Sequence, residues 1–204
     1  MSATPIPVNL AVEDELSEAV IRRLLRNSKR KYAIGTVYGR NGFGYLRKTI
    51  AGWNSAARGI PFLVLTDLDT YPCPTALIED WISGHQHSNL LLRIAVREIE
   101  SWVLADPANI SHFLRVKPHT IPPNPDSLPD PKRALIETAS RSRSRDIRDR
   151  IVPRRTSTAK HGPDYNGCLI EFVSESWNIR SATGASPSLA RTVARLRSFT
   201  PSWQ

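Results

Sequence analysis

The sequence predicts an α/β fold: a central, mostly parallel sheet with flanking helices and a helical C-terminal extension. Three observations predict it. Short apolar runs alternate with amphipathic stretches over the first hundred residues, which is the signature of a sheet with crossover helices. Six prolines (Pro118, Pro122, Pro123, Pro125, Pro129 and Pro131) then interrupt the chain within fourteen residues. Beyond them lie a basic segment and a tail with two helical patterns.

Taken in order, strands are expected near Ile6 to Val12, Tyr32 to Tyr38, Pro61 to Thr66 and Asn89 to Val96. Between the first two, "EDELSEAVIRRLLRNSKRK" sets Leu16, Val20 and Leu24, with Ile21 and Leu25, at helical spacing. Its acidic residues come early and its basic ones late, as the helix dipole prefers. "GRNGFGYLRKTIAGW" reads as a glycine-rich loop entering a second helix, and "PTALIEDWISG" as a third, begun by Pro74 and ended by Gly84. The tail holds two helical patterns, about Tyr165 to Ser176 and Ser188 to Phe199. These elements divide the chain into an α/β core over 1–116, a proline-rich loop over 117–131 and a basic helical extension over 132–204, expected to pack together as one compact domain.

The chain has 204 residues and is 40% hydrophobic, enough for one ordinary core and too little for two full domains. Lysine and arginine outnumber aspartate and glutamate by 28 to 19, a net charge of +9, which favours a polyanionic partner such as nucleic acid. Ten basic residues against three acidic ones fall within 132–160, so the excess is local. Cys73 and Cys168 have no metal-type spacing and do not suggest a disulfide framework. No apolar run reaches membrane-spanning length, and "MSATPIPVNL" lacks the features of a signal peptide. A soluble, cytoplasmic protein with no membrane partner is the expectation.

Ligands of open α/β sheets bind beyond the carboxyl ends of the strands. Three of those ends are acidic here: Val12-Glu13, Thr66-Asp67-Leu68-Asp69 and Val96-Arg97-Glu98-Ile99-Glu100. A turn starting within Asp-x-Asp lets Asp67 and Asp69 curl toward one site. Crowded carboxylates repel unless something positive lies between them, and an all-oxygen cluster suits Mg²⁺ or Mn²⁺, one ion or two. Competing readings stand beside this one. Asp14 reads better as a helix cap, and Glu18 as helix surface. Glu98 and Glu100 also fit an ordinary helix start, with Ile99, Trp102 and Val103 inward.

"NLAVEDELSEAVIRRLL" followed by "FLVLTDLD" resembles the Toprim domain, a Rossmann-like fold with a glutamate after its first strand and Asp-x-Asp after its third. "REIESWVLADP", "DPKRALIE", "KHGPDYNG" and "SPSLARTVARL" extend the likeness to a family of small Toprim-like proteins. That family is related to the nuclease half of overcoming-lysogenisation-defect (OLD) endonucleases. The resemblance implies metal-dependent hydrolysis of DNA, in anti-phage or foreign-DNA defence. It matches Glu13, Asp67 and Asp69 to the Toprim acids, Glu98 and Glu100 to the pair completing a two-metal site, and Lys160 to a lysine that stabilises charge on the phosphate. It also implies a separately encoded ABC-type ATPase partner, because this chain carries no ATPase motif; self-association stays open. The usual turn glycine is Asp14 here, and Ser17, with Glu18 next to it, stands where a further acidic residue is common.

Arginines in "SRSRSRDIRDR" and just beyond it, Arg141, Arg143, Arg145, Arg148, Arg154 and Arg155, suit salt-sensitive phosphate contacts, or else a solvated linker. In "GRNGFG", Arg40, Gly42 and Gly44 could cradle a phosphate, although turn chemistry alone is the better account of the glycines and no Gly-Lys-Ser/Thr follows. Two other readings compete with the nuclease. A non-catalytic Toprim-like subunit would bind nucleic acid or a partner. A haloacid-dehalogenase-like phosphohydrolase shares "VLTDLDT", but carries it on the first strand with a later acidic pair absent here. Glycosyltransferases with a strand-end Asp-x-Asp leave Glu13 and the basic segment unexplained.

Overall fold

A computed structural model describes residues 4–39, 41–154 and 156–202. It is an α/β structure built on a four-stranded, all-parallel sheet flanked by helices. The chain divides into two compact units, 1–96 with 191–204, and 97–190. Residues 97–116, expected with the sheet, therefore count with the second unit, and the last fourteen residues with the first.

The first unit alternates β1 (Ile6–Val12), α1 (Glu15–Arg26), β2 (Tyr32–Gly39), α2 (Gly42–Ala56), β3 (Phe62–Asp67), α3 (Pro74–Trp81) and β4 (Leu90–Ala95). The strand order is β2-β1-β3-β4. β1 and β3 are central and almost wholly buried, which is why their sequences are near-continuous aliphatic runs. One face of the sheet offers Ala11, Phe62, Val64, Leu92 and Ile94 to Leu46, Ile50 and Trp53 of α2 and to Leu77 and Trp81 of α3. The alternate residues Leu10, Leu63, Leu65 and Leu91 are buried on the opposite face, and α1 packs on β1 and β3 through its own apolar stripe. Phe43 meets Trp81 edge-on at 4.9 Å.

Two details fix the β1–β2 edge. The register slips between Val8 and Leu10, and Asn9 uses its side-chain oxygen to accept the Thr36 amide at 2.9 Å, replacing a ladder bond. At the carboxyl end, Gly39 has φ +115, and a Cβ there would lie 2.0 Å from the Val12 carbonyl oxygen, so only glycine closes this edge.

The second unit holds α4 (Ile99–Leu104), α5 (Pro107–Phe113), α6 (Pro131–Ser140), α7 (Arg145–Ile151), α8 (Tyr165–Glu175) and α9 (Ile179–Ala185), and its largest buried side chains are two tryptophans. Trp102 donates its indole N–H to Ser188 Oγ at 2.7 Å, and Trp177 donates to the Trp102 carbonyl at 3.1 Å. The proline-rich stretch is not featureless, because Pro118–Thr120 and Pro125–Ser127 each form a 3₁₀ turn. The basic stretch is helical: Asp130 caps α6 and Ser144 caps α7. A last helix, α10 (Pro187–Ser198), begins in this unit and ends in the first. Among the described residues no helix is long and apolar enough to cross a membrane.

Candidate functional site

From β1 the chain moves to β2 on one side, and β3 lies on the other. The carboxyl ends of β1 and β3 therefore bound a topological switch point, the place where open parallel sheets hold ligands. Glu13 follows β1 directly. Its Oε1 accepts the Thr66 hydroxyl at 2.5 Å and the Asp67 amide at 2.8 Å, so the two strand ends are stitched through one carboxylate. Its backbone carbonyl accepts the Gly42 amide at 3.1 Å, which ties the start of α2 to the same point.

Burial is the main force raising the Glu13 pKa above the ordinary carboxylate range. The Thr66 and Asp67 hydrogen bonds oppose it, and the charges of Asp14 and Asp69 add to it. The turn after β3 is anchored by Leu68, which is buried and donates its amide to the Ala95 carbonyl at 2.8 Å. Asp67 is half-buried at the strand end, and Asp69 is exposed with φ +50, a left-handed conformation that aspartate tolerates better than most residues. Asp14 caps α1 by accepting the Ser17 amide at 2.8 Å, and Glu18 pairs with Arg22 at 2.7 Å.

Gly42 and Gly44 lie in the first turn of α2, with open space where a Cβ would stand. Nearby Arg47 is engaged by Asp80 at 3.0 Å. Arg40, the remaining member of the suggested phosphate loop, lies outside the described residues.

Glu98 and Glu100 belong to the second unit, and each has work there. Glu98 precedes α4 and accepts the Lys132 backbone amide at 3.0 Å, helping Asp130 satisfy the first turn of α6. Its pKa is raised, chiefly by burial. Glu100 is 1% exposed; its Oε1 accepts the Tyr165 hydroxyl at 2.9 Å and faces the Lys132 ammonium at 3.3 Å. The ammonium also sits 5.7 Å from the centre of the Tyr165 ring. The other oxygen, Oε2, is buried without a hydrogen bond. Lys160 is exposed in the loop before α8, and His161 beside it contacts the Gly162 carbonyl and the Tyr165 ring.

The arginines sort into two kinds. Arg150, only 26% exposed, is held by Asp164 at 2.8 Å and Glu171 at 3.0 Å, which raise its pKa further, and lies 3.7 Å from Asp146. Arg148 donates to the Ser142 carbonyl, and Arg145 pairs with Asp149 at 3.4 Å. Arg141, Arg143 and Arg154 are exposed, and no ion pair to them occurs among the described residues. Arg155 lies outside the described residues.

Among the described residues no group of three or more His, Cys, Asp or Glu side chains is arranged to hold a metal ion. Sequence reasoning missed Thr66, Lys132 and Tyr165 as partners of these acids. A hydroxyl immediately before Asp67 was the one visible signal. Comparisons with protein-family models, with curated proteins and with solved structures find no match for the chain.

Proposed function

We propose that the crevice between the ends of β1 and β3 hydrolyses nucleic-acid phosphodiesters, DNA in preference to RNA, with Mg²⁺ or Mn²⁺ as cofactor. One observation carries this reading: a buried carboxylate, Glu13, bridges the two strand ends at the switch point, with Asp67 bonded to it and Asp69 close enough to raise its pKa. The donor set is all oxygen, which fits a hard cation. Mg²⁺ commonly keeps several waters and uses only one or two carboxylates plus substrate phosphate, so a site without three gathered acids is compatible with it. A five-carboxylate cradle gains no support, since Glu98 and Glu100 are committed to α6, Lys132 and Tyr165.

One or two of Glu13, Asp67 and Asp69 would hold the ion, with water and substrate phosphate completing its shell. Bound there, it would lower the pKa of a water and neutralise charge on the phosphate. Thr66 and the Asp67 amide orient Glu13 by engaging Oε1. Likeness to the Toprim-like relatives of OLD nucleases favours the same reading and brings with it the expectation of an ATPase partner and a defence role. Lys160 lies in the other unit, and its role on the phosphate rests on that likeness alone.

The test is cleavage of supercoiled plasmid and of a matched RNA by the purified chain, with Mg²⁺, Mn²⁺ or chelator. Metal-dependent nicking that is lost in both Glu13→Gln and Asp67→Asn is expected. Intact plasmid under all conditions, alone and with any co-purifying ATPase, would sink the nuclease reading. Unreduced cleavage by both variants would sink the site assignment. A second reading, a non-catalytic nucleic-acid-binding subunit, is favoured by the exposed arginines Arg141, Arg143 and Arg154. Retention of DNA without metal-dependent cutting would select it.

A further inference from the structure

A cavity of about 340 Å³ opens in the first unit at the β4 edge, bounded by Gln86, His87, Ser88, Leu90, Arg93 and Arg195 among others. Among the described residues no carboxylate lines it. Arg93 sits mid-strand, with Leu91 and away from the Leu92 and Ile94 face that α2 and α3 cover. Its Nε is buried and has no hydrogen-bond partner. A buried guanidinium nitrogen with nothing to donate to is costly unless a ligand completes it.

The surroundings worsen that cost. Burial lowers the Arg93 pKa, and the charges of Arg195 and Arg191 lower it further. Those two arginines are four residues apart on α10 and so share one helix face. Arg195 donates to the Ser88 carbonyl at 3.3 Å and stacks at 5.4 Å on Phe199, and no ion pair to it occurs among the described residues. His87 accepts the Asn89 amide on Nδ1 at 3.2 Å, so a neutral ring carries its proton on Nε2, as a further donor.

We infer that this cavity is an oxyanion site that takes a phosphate group, held by Arg93 and Arg195 with His87 beside them. Two arginines and a histidine donor line the cavity with Arg191 close enough to act on Arg93, no acid lines it among the described residues, and guanidinium forks match phosphate geometry. An apolar wall from Leu91, on the same side of β4, would strengthen the charge-assisted bonds. The site lies at a different strand from Glu13 and needs no metal, so it stands or falls apart from the hydrolytic reading.

The experiment is thermal unfolding and calorimetric titration of the full chain in chelator and low salt. The probes are inorganic phosphate, pyrophosphate and a short 5′-phosphorylated oligonucleotide, each against chloride at equal ionic strength. At least one probe should raise the Tm saturably, and Arg93→Met and Arg195→Gln should each weaken its binding about tenfold or more. A response to phosphate or pyrophosphate assigns a small ligand; a response to the oligonucleotide alone assigns a nucleic-acid phosphate. The inference is overturned if no probe exceeds chloride, or if the response survives undiminished in the variants. Arg195→Gln, at a half-buried position, keeps the test valid should Arg93→Met fail to fold.

Discussion

At the scale of single residues, the acids that looked alike in sequence do different things. Glu13 is held by a hydroxyl and an amide at a strand end, whereas Glu100 is buried against Lys132 and Tyr165. This difference predicts an asymmetry in stability. Lys132→Ala leaves a fully buried carboxylate with only the tyrosine hydroxyl, and should cost about 1–3 kcal/mol, the ammonium's own partial exposure keeping the figure below that of a wholly buried pair. Glu100→Gln keeps an acceptor for Tyr165, frees an ammonium that can reach water and removes the buried charge, so it should cost less than Lys132→Ala even though its amide N–H₂ stands where Oε2 has no partner. Adding Glu100→Gln to Lys132→Ala should recover part of the loss. Urea unfolding of the three variants measures all of this; equal costs for the two single changes would mean the carboxylate is not held mainly by the lysine.

Among the elements, the first hundred residues were readable because local pattern and tertiary role agree there. Each expected strand is found within a residue or two, and α1 carries the apolar stripe, cap and charge order that its sequence announces. The acidic strand ends were equally visible, but their partners were not, since Thr66 reaches Glu13 across 53 positions and Tyr165 reaches Glu100 across 65. α9 escaped for a different reason: "IRSATGA" is short and poor in large apolar residues, and its clearest mark is the Asn178 cap, which accepts the Ser181 amide at 3.1 Å. Nor does periodicity reveal that the last residues return to the sheet. Asn89, fully buried before β4, donates to the Ala57 and Ser202 carbonyls at 3.1 and 2.8 Å and accepts the Ser202 amide at 2.9 Å. Asn89→Ala removes all three bonds and should cost about 1–3 kcal/mol by chemical denaturation. It should also speed hydrogen exchange at the Ser202 amide ahead of the β1 and β3 amides. Exchange accelerated equally everywhere would mean the tail is not held locally by Asn89.

For the molecule as a whole, the question is what a net charge of +9 does. Counting arginines overstates the charge available to a partner, because Arg150 already serves three carboxylates and Arg145 serves one. Within the basic segment, the exposed arginines for which no ion pair occurs among the described residues, Arg141, Arg143 and Arg154, are the ones placed to release counterions from a bound nucleic acid. Each phosphate contact removed should flatten the slope of log affinity against log salt by about 0.9 for duplex and about 0.7 for single strands. Replacing these three with glutamine should therefore weaken binding to sequences of any composition and reduce the slope by up to about 2–3. Arg150→Gln should do the reverse: it leaves Asp146, Asp164 and Glu171 facing one another without their shared cation, so stability falls while the salt slope holds. Fluorescence anisotropy of a labelled oligonucleotide across a salt series, with unfolding curves for both variants, separates the two classes. A slope that is unchanged in the triple variant would remove the basic segment from any account of how this chain meets nucleic acid.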